Sequence, residues 1–421
     1  MDTQAILKDA QNYIAAESHP VFRQEVEELI QKGSWDELSD RFYTELAFGT
    51  GGLRGLIGGG YNRMNPYVVR RATQGLANYI KKHADSEAAS AVVSYDSRRY
   101  SDVFALETAL VLCGNGIKTY LFTSLRPTPE LSFAVRHLKA TAGVMITASH
   151  NPAEYNGYKV YWTDGAQVVP PHDRGIITEA HNVRSNVTTM SRAEALEEGL
   201  LVLVDAAVDD AYVDMAKQQS LRPALLLENG DQVKVVYTPL HGTGGMMVER
   251  VLREMGISVV TVPEQKDPDG MFPTVESPNP EEAGAMEMAI ALGRQVGADL
   301  VMGTDPDADR IGIAIPDGKD MVLISGNQLG ALLAEYILST RTELGTLPDR
   351  PMFINTIVTT ELQNLIADSY GVEFLRVLTG FKYIAEKIRE FSAERNAPSF
   401  VFGCEESYGY LVGTEVRDKD A

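Results

Sequence analysis

Apolar residues recur along this chain in two rhythms, and the alternation between them lays out the fold. Residues 2–16 and 20–32 carry apolar positions at helical spacing and read as amphipathic helices, the second stopped by Gly33 as a C-cap. Ser34 and Glu37 have the spacing of a capping box, which predicts a third helix directly after. Phe48-Gly49-Thr50-Gly51-Gly52-Leu53-Arg54-Gly55, followed by Gly58-Gly59-Gly60, is too glycine-rich for a helix and reads as a loop.

From residue 91 a unit of short apolar strands separated by helices occurs three times. The first has strands at 91–95, 117–122 and 143–146, with helices at 103–112 and 129–138. The second has strands at 233–237, 258–262 and 299–302, with a helix after Gly242 and another at 281–296. The third has strands at 352–357, 373–377 and 400–402, with helices at 327–338, 360–370 and 381–391. Such alternation implies right-handed parallel crossovers. The expected class is therefore α/β: three consecutive similar domains, with mixed, mostly parallel sheets around a shared cleft. Their expected bounds are 1–203, 204–324 and 325–421. Each unit delivers one polar loop at the carboxyl end of its third strand, where open sheets bind ligands. These loops are Thr147-Ala148-Ser149-His150-Asn151-Pro152, Asp305-Pro306-Asp307-Ala308-Asp309-Arg310 and Gly403-Cys404-Glu405-Glu406-Ser407-Tyr408-Gly409.

Composition narrows the function classes. With 421 residues, 44% hydrophobic and 23% charged, the chain resembles an ordinary α/β enzyme. No segment is long and apolar enough for a bilayer and no secretion signal is visible, so a cytoplasmic location is expected. The formal charge of −20 argues against nucleic acid or anionic membrane as a partner, yet leaves room for a small anion held by local cations and backbone N–H groups. Cys113 and Cys404 read as reduced thiols.

Three carboxylates within five residues, Asp305, Asp307 and Asp309, repel one another unless a cation neutralises them, and hard oxygen ligands suit Mg²⁺ or Ca²⁺. An EF-hand is excluded, because Arg310 and Pro316 stand where glycine and glutamate are needed. Arg310 either faces a phosphoryl group on that metal or simply balances the aspartates. Ser149 does not fit a hydrolase nucleophile: its neighbours are not G-x-S-x-G, and the adjacent His150 is poorly placed as a triad base. It reads as a phosphoryl carrier facing the metal, against the plainer reading of a capping serine. Arg54 among glycines is either a phosphate fork or part of an exposed turn. Glu405, Glu406 and Ser407 are either acceptors and a donor for sugar hydroxyls or an acidic turn. Lys159 and Lys382 are candidates for proton transfer or phosphate binding, or solvated lysines, while His241 reads as structural.

Together these motifs resemble the α-D-phosphohexomutase superfamily, most closely its phosphoglucomutase/phosphopentomutase branch. Residues 49–54, 95–98 and 237–242 fit as well. The resemblance implies that Ser149 is phosphorylated and that Ser149, Asp305, Asp307 and Asp309 hold Mg²⁺. It further implies that Arg54, His150, Lys159 and Lys382 line the reaction centre, and that Glu405, Ser407, Arg310 and Arg417 bind substrate. The implied reaction interconverts glucose 1-phosphate and glucose 6-phosphate through glucose 1,6-bisphosphate, with a phosphosugar as the partner and a monomer or homodimer as the assembly. Ribose or deoxyribose phosphate ranks second, and mannose phosphate is a further alternative. The family's fourth domain has no counterpart before Ala421, which leads to the expectation of a truncated form with poor turnover. Two rivals remain: a magnesium-dependent phosphatase with Asp305 as nucleophile, and a sugar-phosphate-binding remnant without turnover.

Overall fold

The computed structural model describes residues 3–49, 52–84, 89–183 and 186–421. Residue 2 of the first expected helix, and Thr50 and Gly51 of the glycine-rich loop, lie outside the described residues.

Three helices, Thr3–Ala16, Pro20–Lys32 and Trp35–Phe42, open the chain. Gly33 closes the second with φ +65°, as its sequence predicts. The capping box expected at Ser34 does not form, because Ser34 has ψ 66° and its side chain caps nothing. Capping boxes occur instead at Ser191/Glu194 and Ser325/Gln328.

Among the described residues fifteen strands form three sheets. The first contains β1 (Leu53–Leu56), β2 (Ser90–Tyr95), β3 (Lys118–Phe122), β4 (Ala142–Ile146), β5 (Tyr155–Trp162) and β6 (Leu201–Val204), in the order β1-β5-β4-β2-β3-β6. The second contains β7 (Lys234–Thr238), β8 (Ser258–Thr261), β9 (Leu300–Thr304), β10 (Ile311–Asp317) and β11 (Asp320–Ile324), in the order β11-β10-β9-β7-β8. The third contains β12 (Pro351–Thr356), β13 (Glu373–Val377), β14 (Ser399–Glu405) and β15 (Gly409–Val412), in the order β13-β12-β14-β15.

One design underlies all three. A central strand (β2, β7, β12) pairs in parallel with its two successors, and the second successor (β4, β9, β14) pairs antiparallel with the strand that follows it. The parallel triads match the sequence reading. The antiparallel return strands β5, β10 and β15 were not anticipated, and they turn each polar loop into a tight reversal at the sheet's end. The expected loop around Arg54 is likewise partly strand: β1 pairs antiparallel with β5, Arg54 opposite Gly157. Gly52 begins that segment at φ +109°, where a Cβ would lie 1.9 Å from the Tyr158 carbonyl oxygen, so only glycine fits.

A continuous buried cluster joins the units: Val92, Phe122 and Met145 of the first sheet meet Met247 from the second unit and Met352, Ile354, Phe381 and Phe400 of the third. Full burial of side chains this size contributes about 1.5–3 kcal/mol each, so the loop-bearing ends of the sheets are held in a fixed relation. Among the described residues no helix is long and apolar enough to cross a membrane. Cys113 and Cys404 are both free and buried.

Candidate active site

The reversals between the third and return strands meet at one cleft of about 420 Å³, lined by Arg54, Ser149, Lys159, Arg310, Glu405, Ser407 and Lys419 among others.

Ser149 follows β4 with φ +53°, and its backbone N–H donates to Thr147 Oγ1 at 2.8 Å. That turn aims the side chain across the domain boundary: Ser149 Oγ donates to Asp305 Oδ2 at 2.7 Å. His150 Nδ1 lies 3.2 Å from the same Oγ. The sequence argument that an adjacent histidine is poorly placed is thus corrected, since the left-handed backbone at Ser149 lets the two side chains converge. Burial, with the nearby Arg310 cation, pushes His150 down to about 3, so its imidazole is neutral.

Asp305, Asp307 and Asp309 are buried, with ligand oxygens all within 4.8 Å of one another. Asp305 Oδ1 accepts the backbone N–H groups of Asp309 and Arg310, each at 3.1 Å. Burial and the negative neighbours Asp307 and Asp309 push the Asp305 carboxyl well above the usual range. Burial alone would raise Asp307 too, but the Lys159 amine, 2.8 Å from Asp307 Oδ2, more than reverses it and holds Asp307 low. Asp307 Oδ1 and Asp309 Oδ1 are buried without a hydrogen-bond partner. Unpartnered carboxylate oxygens beside Ser149 Oγ make a hard-oxygen donor set, which fits a divalent ion such as Mg²⁺.

Cations surround the trio. Lys159 on β5 also lies 3.4 Å from Asp309 Oδ2, and burial, which would lower its amine, is outweighed by Asp307 and Asp309. Arg310 pairs with Glu281 at 2.6 Å and lies 3.9 Å from Asp309. Arg54 donates to Asn151 Oδ1 at 3.0 Å, on the rim of the serine loop.

From the third sheet, Glu405 and Ser407 reach the cleft, whereas Glu406 turns away and accepts from Thr356 and Thr359 at 3.1 and 3.2 Å. Burial raises the Glu405 carboxyl, opposed by Lys419 and by the Gly380 N–H at 2.8 Å.

Arg417 and Lys382 are not among the residues that line the cleft. Arg417 is buried beside the chain: its guanidinium donates to the Thr414 carbonyl and to Ser392 Oγ, and burial with Arg136 nearby lowers it to about 10. The cleft is reached two positions later by Lys419, whose amine lies 3.1 Å from Asp309 Oδ2. Lys382 lies one residue past the cleft-lining Phe381, with its amine over the Tyr383 ring at 5.2 Å. Burial lowers its pKa against the pull of Asp173 and Glu386. Sequence reasoning missed Lys419, although its place between Asp418 and Asp420 marked a lysine with a use for carboxylates. His241 is structural as expected, its ring nitrogens 3.2 Å from the Asp267 carbonyl and 2.9 Å from Thr274 Oγ1.

Known proteins resemble this chain in sequence and fold. Family models of phosphoglucomutase/phosphomannomutase α/β/α domains I, II and III match residues 45–187, 210–318 and 325–421. A phosphoglucomutase of Staphylococcus epidermidis is 39% identical over 402 residues, which cover 94% of this chain and 70% of that protein. A phosphopentomutase of Mus musculus is 35% identical over 438 residues, covering 100% of this chain and 69% of that one. The crystal structure of a phosphoglucomutase/phosphomannomutase family protein from Burkholderia thailandensis shares the fold, with TM-score 0.69 and 22% identity over 87% of this chain and 72% of that chain. The chain therefore belongs to the phosphoglucomutase/phosphomannomutase family, a family of enzymes.

Proposed function

We propose that this chain is a phosphoglucomutase, interconverting glucose 1-phosphate and glucose 6-phosphate through a phosphoserine at Ser149 and glucose 1,6-bisphosphate. The observation that carries the proposal is the 2.7 Å contact between Ser149 Oγ and Asp305, which sets a hydroxyl on the edge of a buried three-carboxylate site.

Ser149 with Asp305, Asp307 and Asp309 would hold Mg²⁺, which when bound would supply positive charge to a phosphoryl oxygen. The remaining work belongs to the protein's own groups. The phosphoryl group leaves Ser149 Oγ for a sugar hydroxyl oxygen, whose proton departs to a nearby base, and the reverse transfer returns the other phosphate to Ser149. Neutral His150 is a proton acceptor within reach of Ser149 Oγ. Arg54, Arg310, Lys159 and Lys419 present positive charge to the phosphoryl oxygens. Glu405 and Ser407 grip the sugar hydroxyls and let the bisphosphate turn over inside the cleft.

A second reading, phosphopentomutase, is favoured by the relatives of that name, of which the Mus musculus protein aligns with the whole of this chain. Phosphorus NMR of the chain with Mg²⁺, catalytic glucose 1,6-bisphosphate and either glucose 1-phosphate or ribose 1-phosphate separates them. Faster conversion of the glucose ester upholds the first reading; faster conversion of the ribose ester replaces it with the second.

A further inference from the structure

The Ser149 loop adopts a shape that its own hydrogen bonds, Ser149 N–H to Thr147 Oγ1 and Asn151 N–H to the Ala148 carbonyl, secure only in part. A left-handed φ at a non-glycine position costs roughly 1–2 kcal/mol, and Ser149 has that conformation at +53°. The carbonyl oxygens of four consecutive residues, 149–152, are all held by side chains from outside the loop. Arg98 Nη2 donates to the carbonyls of Ser149, at 2.5 Å, and Asn151. Arg98 Nη1 donates to those of Pro152 and Tyr155, at 2.8 and 3.0 Å. Ser277 Oγ donates to the fourth, that of His150, at 3.1 Å.

Arg98 is built into this place. It is 2% exposed, its Nε lies 3.5 Å from buried Asp96, and its guanidinium sits 5.0 Å from the centre of the Phe272 ring. The backbone of Arg98 bridges Gly270. Gly270, Phe272 and Ser277 all belong to the segment between β8 and helix Ala283–Val296, so the second unit backs a grip on the first unit's loop. A planar guanidinium offers five donors in a fixed fork, and a lysine ammonium cannot span the same four oxygens.

We propose that Arg98 is a positioning residue for phosphoryl transfer, which with Ser277 keeps the carbonyl oxygens of residues 149–152 turned from the reacting centre and so fixes the Ser149 hydroxyl against Asp305. A carbonyl facing the transferring group would set acceptor against anionic oxygen. Holding these four dipoles the other way removes that repulsion and the freedom of Ser149 to wander. The inference rests on the reading of Ser149 as the phosphoryl carrier.

The test is rapid-quench measurement of phosphate incorporation into Ser149 from glucose 1,6-bisphosphate with Mg²⁺, for the native chain, Arg98→Lys and Ser277→Ala. Magnesium calorimetry on each reports the aspartate site separately. Arg98→Lys is expected to lower the maximum labelling rate about 100-fold, with the half-saturating bisphosphate concentration and Mg²⁺ affinity each within about threefold, since none of its hydrogen bonds goes to Asp305, Asp307 or Asp309. Ser277→Ala, which removes one hydrogen bond, is expected to lower the rate about three- to tenfold. A folded Arg98→Lys that labels at the native rate overturns the inference. If Arg98→Lys does not fold, Ser277→Ala decides: a native maximum rate overturns it and a selective fall in that rate upholds it. A native chain that takes no phosphate on Ser149 defeats the carrier reading and the inference with it, whereas a labelled native chain beside equally fast variants defeats the inference alone.

Discussion

The serine loop and the aspartate loop leave their sheets at the same topological point, between a parallel strand and its antiparallel return, yet they depend on outside groups to different degrees. The aspartate loop folds on itself. Asp305 takes the N–H groups of Asp309 and Arg310 on its side chain and that of Ala308 on its carbonyl, at 3.1, 3.1 and 2.9 Å. Neighbouring backbone completes the fit, Thr243 N–H to the Pro306 carbonyl at 2.8 Å and Thr128 N–H to that of Asp307 at 2.9 Å. The serine loop makes fewer bonds of its own, Ser149 N–H to Thr147 Oγ1 and Asn151 N–H to the Ala148 carbonyl, and its carbonyls are held from outside, by Arg98 and Ser277. The difference follows from what each loop carries. A carboxylate has several acceptor sites, so Asp305 can order its own loop and still face a cation. A serine that accepts a phosphoryl group has one oxygen to offer, so other residues must do the holding.

The sharpest break in this comparison is Ser149→Ala. It is expected to lower phosphate incorporation and sugar-phosphate turnover at least about a thousandfold, while Mg²⁺ affinity by calorimetry, with one neutral ligand lost and all three carboxylates kept, falls at most about tenfold. Joint loss of both would show that the two loops are not separable. Asp307→Asn strikes the other side. It removes one ligand and one of the carboxylates that hold Lys159, and Mg²⁺ affinity is expected to fall about 10- to 100-fold by calorimetry.

Gly242→Ala probes the aspartate loop's backing without touching a ligand. Its Cβ would lie 2.4 Å from the Pro306 Cα, so about 1–3 kcal/mol of overpacking is expected, read as a lower Tm together with weaker Mg²⁺ binding. Unchanged Mg²⁺ binding would mean that the loop's shape does not depend on that support. The smallest effect is expected from Glu405→Gln, which leaves both loops intact. It should raise KM for the sugar phosphate about tenfold with a smaller change in kcat, measured by steady-state kinetics.

What the sequence revealed divides along the same line. Strand β4 is buried at every position, and parallel strands covered on both faces read as plain apolar runs. The three parallel triads were legible for that reason, and so was the aspartate loop, whose chemistry and support share six residues. The return strands were not. β5 carries Asn156, Gly157 and Lys159 inside the sheet, polar or small residues that break the apolar run because the site uses them. Lys159 looked equally like a solvated lysine, and only the fold brings it to Asp307, 148 positions away. Arg98 falls in the 95–98 stretch noted in the sequence, but the carbonyls it holds lie 51 to 57 residues on, so its task is not legible there. Arg417, expected to bind substrate, and Lys419, given no role, are cations two positions apart, and the direction in which a non-repeating segment turns its side chains is not visible in sequence.

The most direct measurement is phosphopeptide mass spectrometry of the chain after incubation with Mg²⁺ and glucose 1,6-bisphosphate. The account predicts one phosphate on the peptide bearing Ser149, absent in Ser149→Ala. Phosphate on Asp305 instead, or phosphate release that survives Ser149→Ala, would contradict it and make the aspartate loop the nucleophile.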